Sequence, residues 1–177
     1  MAPLDSQHEV FQRGGKGEIM KCRLSQALLG LALLYGISVA GAQAADVAIH
    51  STKGSFADVK ERVVQAIENR GLVLNYTARI GAMLERTGKD IGAARQIYGD
   101  ADMLEFCSAR VSRDTMEADP RNIVFCPYSI AIYTLPGDRS TVYVAYRRPG
   151  TFGSAQSIQS LRAVEKLLAD IVRDALK

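Results

Sequence analysis

Phe56, Val59, Val63 and Ile67 recur at steps of three and four residues, and Asp58, Glu61, Arg62, Gln65 and Glu68 fall outside that stripe. The spacing predicts an amphipathic helix. Ser55 is placed to cap its first turn, Asp58 to favour the positive end of its dipole, and Gly71 to end it. A β-branched run at residues 46–51 reads as an opening strand, and residues 72–80 alternate apolar Leu72, Leu74 and Tyr76 with other side chains, as a strand lying on a core does. A short helix over 81–86, a strand over 103–107, a short helix over 113–118 stopped at Asp119-Pro120, and a long strand over 123–135 follow.

Pro136-Gly137-Asp138-Arg139 is a turn signal between that strand and the β-rich run 141–147, so the two are expected to form a hairpin. Centred on Asp138, the hairpin pairs Tyr133 with Tyr143 and Ala131 with Ala145. Because side chains alternate between faces, Ile130, Ile132, Val142 and Val144 then fill the other face and belong in the core. Tyr133, Tyr143 and Arg147 are left as a candidate interface or ligand face. A closing helix over 154–175 puts Ile158, Leu161, Val164, Leu168, Ile171 and Ala175 on one side. Helices and strands interleave, giving one compact α+β domain over 45–177, with a mixed sheet ending in a β-hairpin and helices packed on it.

The region before residue 45 has a different pattern. Residues 27–40 (ALLGLALLYGISVA) form an uncharged apolar run, with Lys21 and Arg23 before it and Ala42-Gln43-Ala44 after it. Basic, apolar and small-residue regions in that order make a cleavable signal peptide, with cleavage expected near Ala44. The run is shorter than the ~20 residues that span a bilayer, so no membrane attachment is expected after cleavage. Cys22 precedes the run and is misplaced for lipid attachment. Residues 1–19 lack apolar periodicity, and Met20-Lys21-Cys22-Arg23 has the form of a signal start by itself. The expected location is periplasmic or secreted.

From Ala45 onward the chain holds 18 Lys and Arg against 16 Asp and Glu. This balance points away from nucleic acid as a dedicated partner. No nucleophile elbow, zinc-protease helix, phosphate loop or dinucleotide fingerprint is present, so no catalytic residues are assigned.

Chemistry therefore rests on Cys107, Cys126 and His50, the cysteines and histidine beyond residue 45. In an oxidising compartment a Cys107–Cys126 disulfide would close a loop of 19 positions, worth about 3 kcal/mol in the chain-entropy model. Two buried free thiols packing as small hydrophobes are an equal alternative. A third reading gathers His50, Cys107 and Cys126 around a soft metal or a haem iron, although their spacing matches no ligand motif and nothing in the chain requires a cofactor.

The segments GSFADVKERVVQAIENRGL (54–72), LEFCSA (104–109), EADP (117–120) and FCPYSIAIY (125–133) together resemble the family called domain of unknown function 302, in an exported proteobacterial-type form. The resemblance covers roughly residues 51–148. It implies a compact α+β domain, expected to form homodimers, with Cys107 and Cys126 at the family's two cysteine positions, and it implies no activity. The functional expectation is an exported non-enzymatic binding or interaction module for a small ligand or protein partner. Its alternative is a thiol-redox or metal- or haem-handling protein using Cys107 and Cys126.

Protein recovered from the cell envelope is expected to begin at Ala45, because Ala42 and Ala44 supply the small residues signal peptidase requires. N-terminal sequencing checks this, and an N-terminus at Met1 or Met20 would refute it.

Overall fold

The computed structural model describes residues 46–177 apart from residue 94. The signal segment predicted above lies outside them. The elements run β1 (Val47–Lys53), α1 (Phe56–Glu68), β2 (Val73–Ala78), α2 (Ile80–Asp90), β3 (Ala101–Cys107), α3 (Ala109–Ala118), a 3-10 helix (Pro120–Phe125), β4 (Tyr128–Leu135), β5 (Asp138–Arg147) and α4 (Ala155–Ala175). Among the described residues no helix is long and apolar enough to cross a membrane.

Local chemistry sets the helix ends. Ser55 Oγ accepts from the Asp58 backbone N–H at 3.1 Å, and Ser154 Oγ accepts from Ser157 N–H at 3.2 Å. Each satisfies a donor that the first helical turn leaves unpaired. α1 ends at Glu68, and Gly71 then takes a φ of +69°, donating its N–H to Glu68 at 2.8 Å as the chain reverses into β2. Only glycine takes that backbone conformation without steric cost.

The five strands form one sheet in the order β1-β5-β4-β3-β2, antiparallel throughout. The domain is α+β with the expected hairpin, but the sheet is not mixed. Every neighbouring pair along the order runs oppositely; α1 joins β1 and β2, which point the same way but lie at opposite edges, so no two parallel strands are neighbours. In the hairpin Ala131 pairs with Ala145, Ile132 with Val144 and Tyr133 with Tyr143, the register expected of a hairpin centred on Asp138, and a bulge after Thr134 lets Leu135 pair with Asp138 across the Pro136-Gly137 turn.

That register sorts the side chains. Leu104, Phe106, Tyr128, Ile130, Ile132, Val142, Val144 and Tyr146 are buried together against Val59, Val63 and Ile67 of α1 and Val164, Leu168 and Ile171 of α4. α1 and α4 therefore cover one sheet face with the stripes read from the sequence. Phe106 meets Tyr128 edge-on at 6.1 Å across β3 and β4.

One strand differs from expectation. Residues 123–125 belong to the 3-10 helix, and β4 begins at Tyr128. Asp119 accepts from the Arg121 N–H at 3.0 Å and Pro120 starts a tight turn, so the chain coils before it extends. α3 also starts earlier than expected, at Ala109, because Ser108 caps it by accepting from Val111 N–H.

Ile132→Ala should lower unfolding free energy by about 2–5 kcal/mol through the cavity it leaves between sheet and helices. Ile49→Ala, on the opposite face, should cost under about 1 kcal/mol. Urea denaturation of both variants tests the assignment of faces, which equal losses would overturn.

Candidate functional site

β3 ends at Cys107, and the next residue is the cap of α3. The chain then runs through α3 and the 3-10 helix and returns as β4, antiparallel to β3, with Phe106 opposite Tyr128. This register brings the residue after Phe106 close to the residues preceding Tyr128. The two sulfurs consequently meet, with Cys107 Sγ and Cys126 Sγ 3.2 Å apart and both side chains half-buried. The Cys126–Pro127 peptide is cis.

The surroundings hold both cysteines in place. Ser112 Oγ, one turn into α3, lies 3.1 Å from the Tyr128 hydroxyl and donates to it, and lies 3.9 Å from Cys126 Sγ. Asn122, buried in the 3-10 helix, donates from Nδ2 to the Thr115 carbonyl at 3.0 Å and to Ser157 Oγ at 2.8 Å. One side chain thus ties the segment before Cys126 to both α3 and α4. Asp119 pairs with Arg121, whose guanidinium lies 4.9 Å from the centre of the Phe152 ring. Hydrogen bonds from Arg121 hold the Asp119 carboxyl below its ordinary range.

Burial, reinforced by the hydrogen bond and charge of Cys126, pushes the Cys107 thiol up to about 11. Burial also raises the Tyr128 phenol. Cys107 therefore keeps its proton at neutral pH, and the pair shares an S–H···S contact. Chemically, two thiols at this separation can release two protons and two electrons and close to a bond of about 2.05 Å after a shift of roughly 1 Å.

The structure does not bring His50 to this pair. His50 sits exposed on β1 against Tyr146, while β5 and β4 lie between β1 and β3. Three inter-strand steps amount to about 14 Å. Among the described residues no three His, Cys, Asp or Glu side chains converge. Two sulfurs fall short of the four ligands of a closed zinc site. The hollow beside Val124 and Pro127 holds about 100 Å³, below the ~300 Å³ at which ligand pockets begin, and so does not fit a haem macrocycle.

Tyr133 and Tyr143 stack with ring centres 5.0 Å apart, and Tyr98 meets Tyr133 edge-on at 5.5 Å. Arg147 is exposed on the same sheet face, at the far end of β5. A cleft of about 740 Å³ between α2 and the start of β3, lined by Arg79, Lys89, Tyr98, Asp100 and Asp102, was not foreseen. Its charges are of both signs, and Asp102 is already bound by Lys60 at 2.6 Å. Ser112, Asn122 and Tyr128 were also missed as parts of the cysteine site. Only the place of Tyr128, two positions beyond Cys126, hinted at a shared environment.

These features define a small α+β domain with a single antiparallel sheet, helices on one face and a sulfur pair at one strand end. The chain belongs to the family described as Domain of unknown function DUF302, whose model matches residues 47–177. It is similar in fold to the crystal structure of an uncharacterized conserved protein DUF302 from Bacillus stearothermophilus, with a TM-score of 0.63 and 14% identity. That match covers 75% of this chain and 99% of the other. No curated protein matches the chain.

With Cys107 raised to about 11 from 9.0, the neutral thiol is favoured in the folded state. The associated stability is complete below pH 9 and is lost as pH rises toward 11. Cys107 in the reduced protein should accordingly alkylate about 100-fold more slowly at pH 8 than a thiol of pKa 9.0. Its rate should climb until about pH 11. Mass spectrometry of iodoacetamide-treated protein across pH 7–11 reads this, and a Cys107 rate that levels off near pH 8.5 would contradict it.

Proposed function

We propose that this protein is an exported thiol–disulfide module in which Cys107 and Cys126 interconvert between dithiol and disulfide. The observation that carries the reading is the 3.2 Å approach of two half-exposed sulfurs. A binding module without redox chemistry has no comparable feature in its support. The export signal expected from residues 21–44 adds a compartment in which disulfide exchange proceeds.

Cys126 attacks one sulfur of a disulfide RS–SR as the thiolate, forming Cys126–S–S–R and releasing RS⁻, which takes up the proton Cys126 has lost. Cys107, held protonated until then, gives up its proton and attacks Cys126 Sγ, releasing the second RS⁻, which is protonated in turn. Two protein thiols are oxidised and one external disulfide is reduced to two thiols. Cys107 suits the second role because a neighbour that has become a neutral mixed disulfide no longer opposes its ionisation. Ser112 and Tyr128 position Cys126 through contacts that leave both sulfurs in reach of each other.

Titration of the purified protein against glutathione buffers, with the thiol count read by alkylation and mass, tests the proposal. A reversible loss of two hydrogens is expected, with Cys107→Ser trapping a mixed disulfide at Cys126. Two thiols that stay open in excess oxidised glutathione would overturn it. So would a bond that excess reduced glutathione leaves closed, since that would be a structural staple.

A further inference from the structure

α2 and the segment that leads from it into β3 border a cleft of about 740 Å³, a volume within the range of small-molecule sites. The cleft lies beside the start of β3, whereas the sulfur pair lies at the other end of that strand, about 20 Å away. Two close approaches fix α2 against its wall. A side chain at Gly81 would meet the Ala101 backbone nitrogen at 3.0 Å, and one at Gly88 would meet the Ala93 carbonyl oxygen at 3.0 Å. The helix is thus pinned near both of its ends.

The charges on the cleft sort by whether they already have partners. Asp102 is bound by Lys60 at 2.6 Å and Asp100 faces Arg139 at 3.6 Å, and neither of those cations lines the cleft. Arg79, Lys89 and Arg95 do line it, and they enter no ion pair among the described residues. Glu85 is the one carboxylate of the lining in the same condition, so the unpaired charges leave the cleft positive. Between the cations the wall is apolar. Leu84 and Tyr98 are half-buried there, and Ile91 and Ile97 are left 77% and 48% exposed. Large aliphatic side chains open to water mark a surface that something apolar covers.

We infer that this cleft binds a small carboxylate with an apolar tail, the chemical class of the medium-chain fatty acids. Lys89 and Arg95 stand where the chain leaves α2 and take the carboxylate head. The tail lies along α2 over Leu84, against Ile91, Ile97 and Tyr98. From Lys89 back to Ala82, which also lines the cleft, the helix rises about 10 Å. A chain of about eight carbons, at ~1.3 Å of advance per carbon, spans that length. A compact anion such as phosphate would leave the isoleucines uncovered, and a neutral lipid would leave the cations without a partner. Only a ligand that carries both an anionic head and an apolar body answers both features.

Octanoate is the probe, titrated by calorimetry into protein purified from cells expressing the full-length chain, with backbone amide NMR shifts locating where it binds. A Kd of about 0.1–1 mM is expected, in keeping with a ligand of this size, with the shifts centred on α2 and residues 91–102. Butyrate, four methylenes shorter, should bind at least about tenfold more weakly, since each buried methylene is worth up to about fourfold in affinity. Octylammonium has the same tail and the opposite charge, and should not compete. Lys89→Glu and Arg95→Glu should each weaken octanoate by about fivefold, while Glu85→Gln should tighten it by about twofold. All three positions are exposed, so circular dichroism should show the variants folded. Octanoate that does not bind, or whose shifts fall elsewhere on the molecule, overturns the inference. So do octylammonium or butyrate binding as well as octanoate, charge-reversal variants that bind it as tightly as the parent, and weaker binding by Glu85→Gln.

Discussion

The pairing of β4 between β3 and β5 is the constraint on which the rest of this domain depends. A shift of one residue in either pairing would turn Ile130, Ile132 and Leu104 out of the core and place Tyr133 and Met103 beneath the helices. The same register sets Tyr128 opposite Phe106. Because β3 and β4 run antiparallel, the residue leaving one strand and those entering the next converge, and both are cysteines. Core packing and the sulfur contact are thus two consequences of one hydrogen-bonded alignment.

Between those strands the chain makes a return that local rules alone would leave loose. α3 and the 3-10 helix are short, and short helices have little stability of their own. Asn122 supplies the missing constraint, because its buried amide bonds α3 through Thr115 and α4 through Ser157. Its Oδ1 is buried and finds no partner among the described residues. Leaving a buried acceptor unpaired costs about 1–3 kcal/mol. The two bonds made by Nδ2 therefore act chiefly to specify where the segment sits.

Legibility in the sequence followed the range of the interactions. The hairpin register, the core face of Ile130, Ile132, Val142 and Val144, and the stripes of α1 and α4 all rest on periodicity within a few residues, and all were readable. The start of β4 was misread because Ile123, Val124 and Phe125 look like strand residues. Asp119 and Pro120 impose a turn on them that apolar content does not reveal. The strand order, and with it the distance of His50 from the sulfurs, was not readable, since no local pattern states which strands become neighbours. For the same reason spacing could only pose the question of Cys107 and Cys126. Ser112 and Asn122 were invisible because a polar residue in a short helix looks the same whether it faces water or a buried partner.

The sulfur pair and the open sheet face are linked through Glu105, two residues before Cys107 on β3. Its negative charge is one of the influences that keep Cys107 protonated, though the smallest of those acting on it. A cation placed against Glu105 would offset that charge and make the Cys107 thiolate easier to form. Linkage requires the converse as well, so ionisation of Cys107 would strengthen the binding of such a cation by the same factor. Burial and Cys126 contribute more to the raised thiol than Glu105 does, so the coupling is a modest bias on thiol reactivity. It leaves the chemistry with the two sulfurs and gives the open face a means of tuning it.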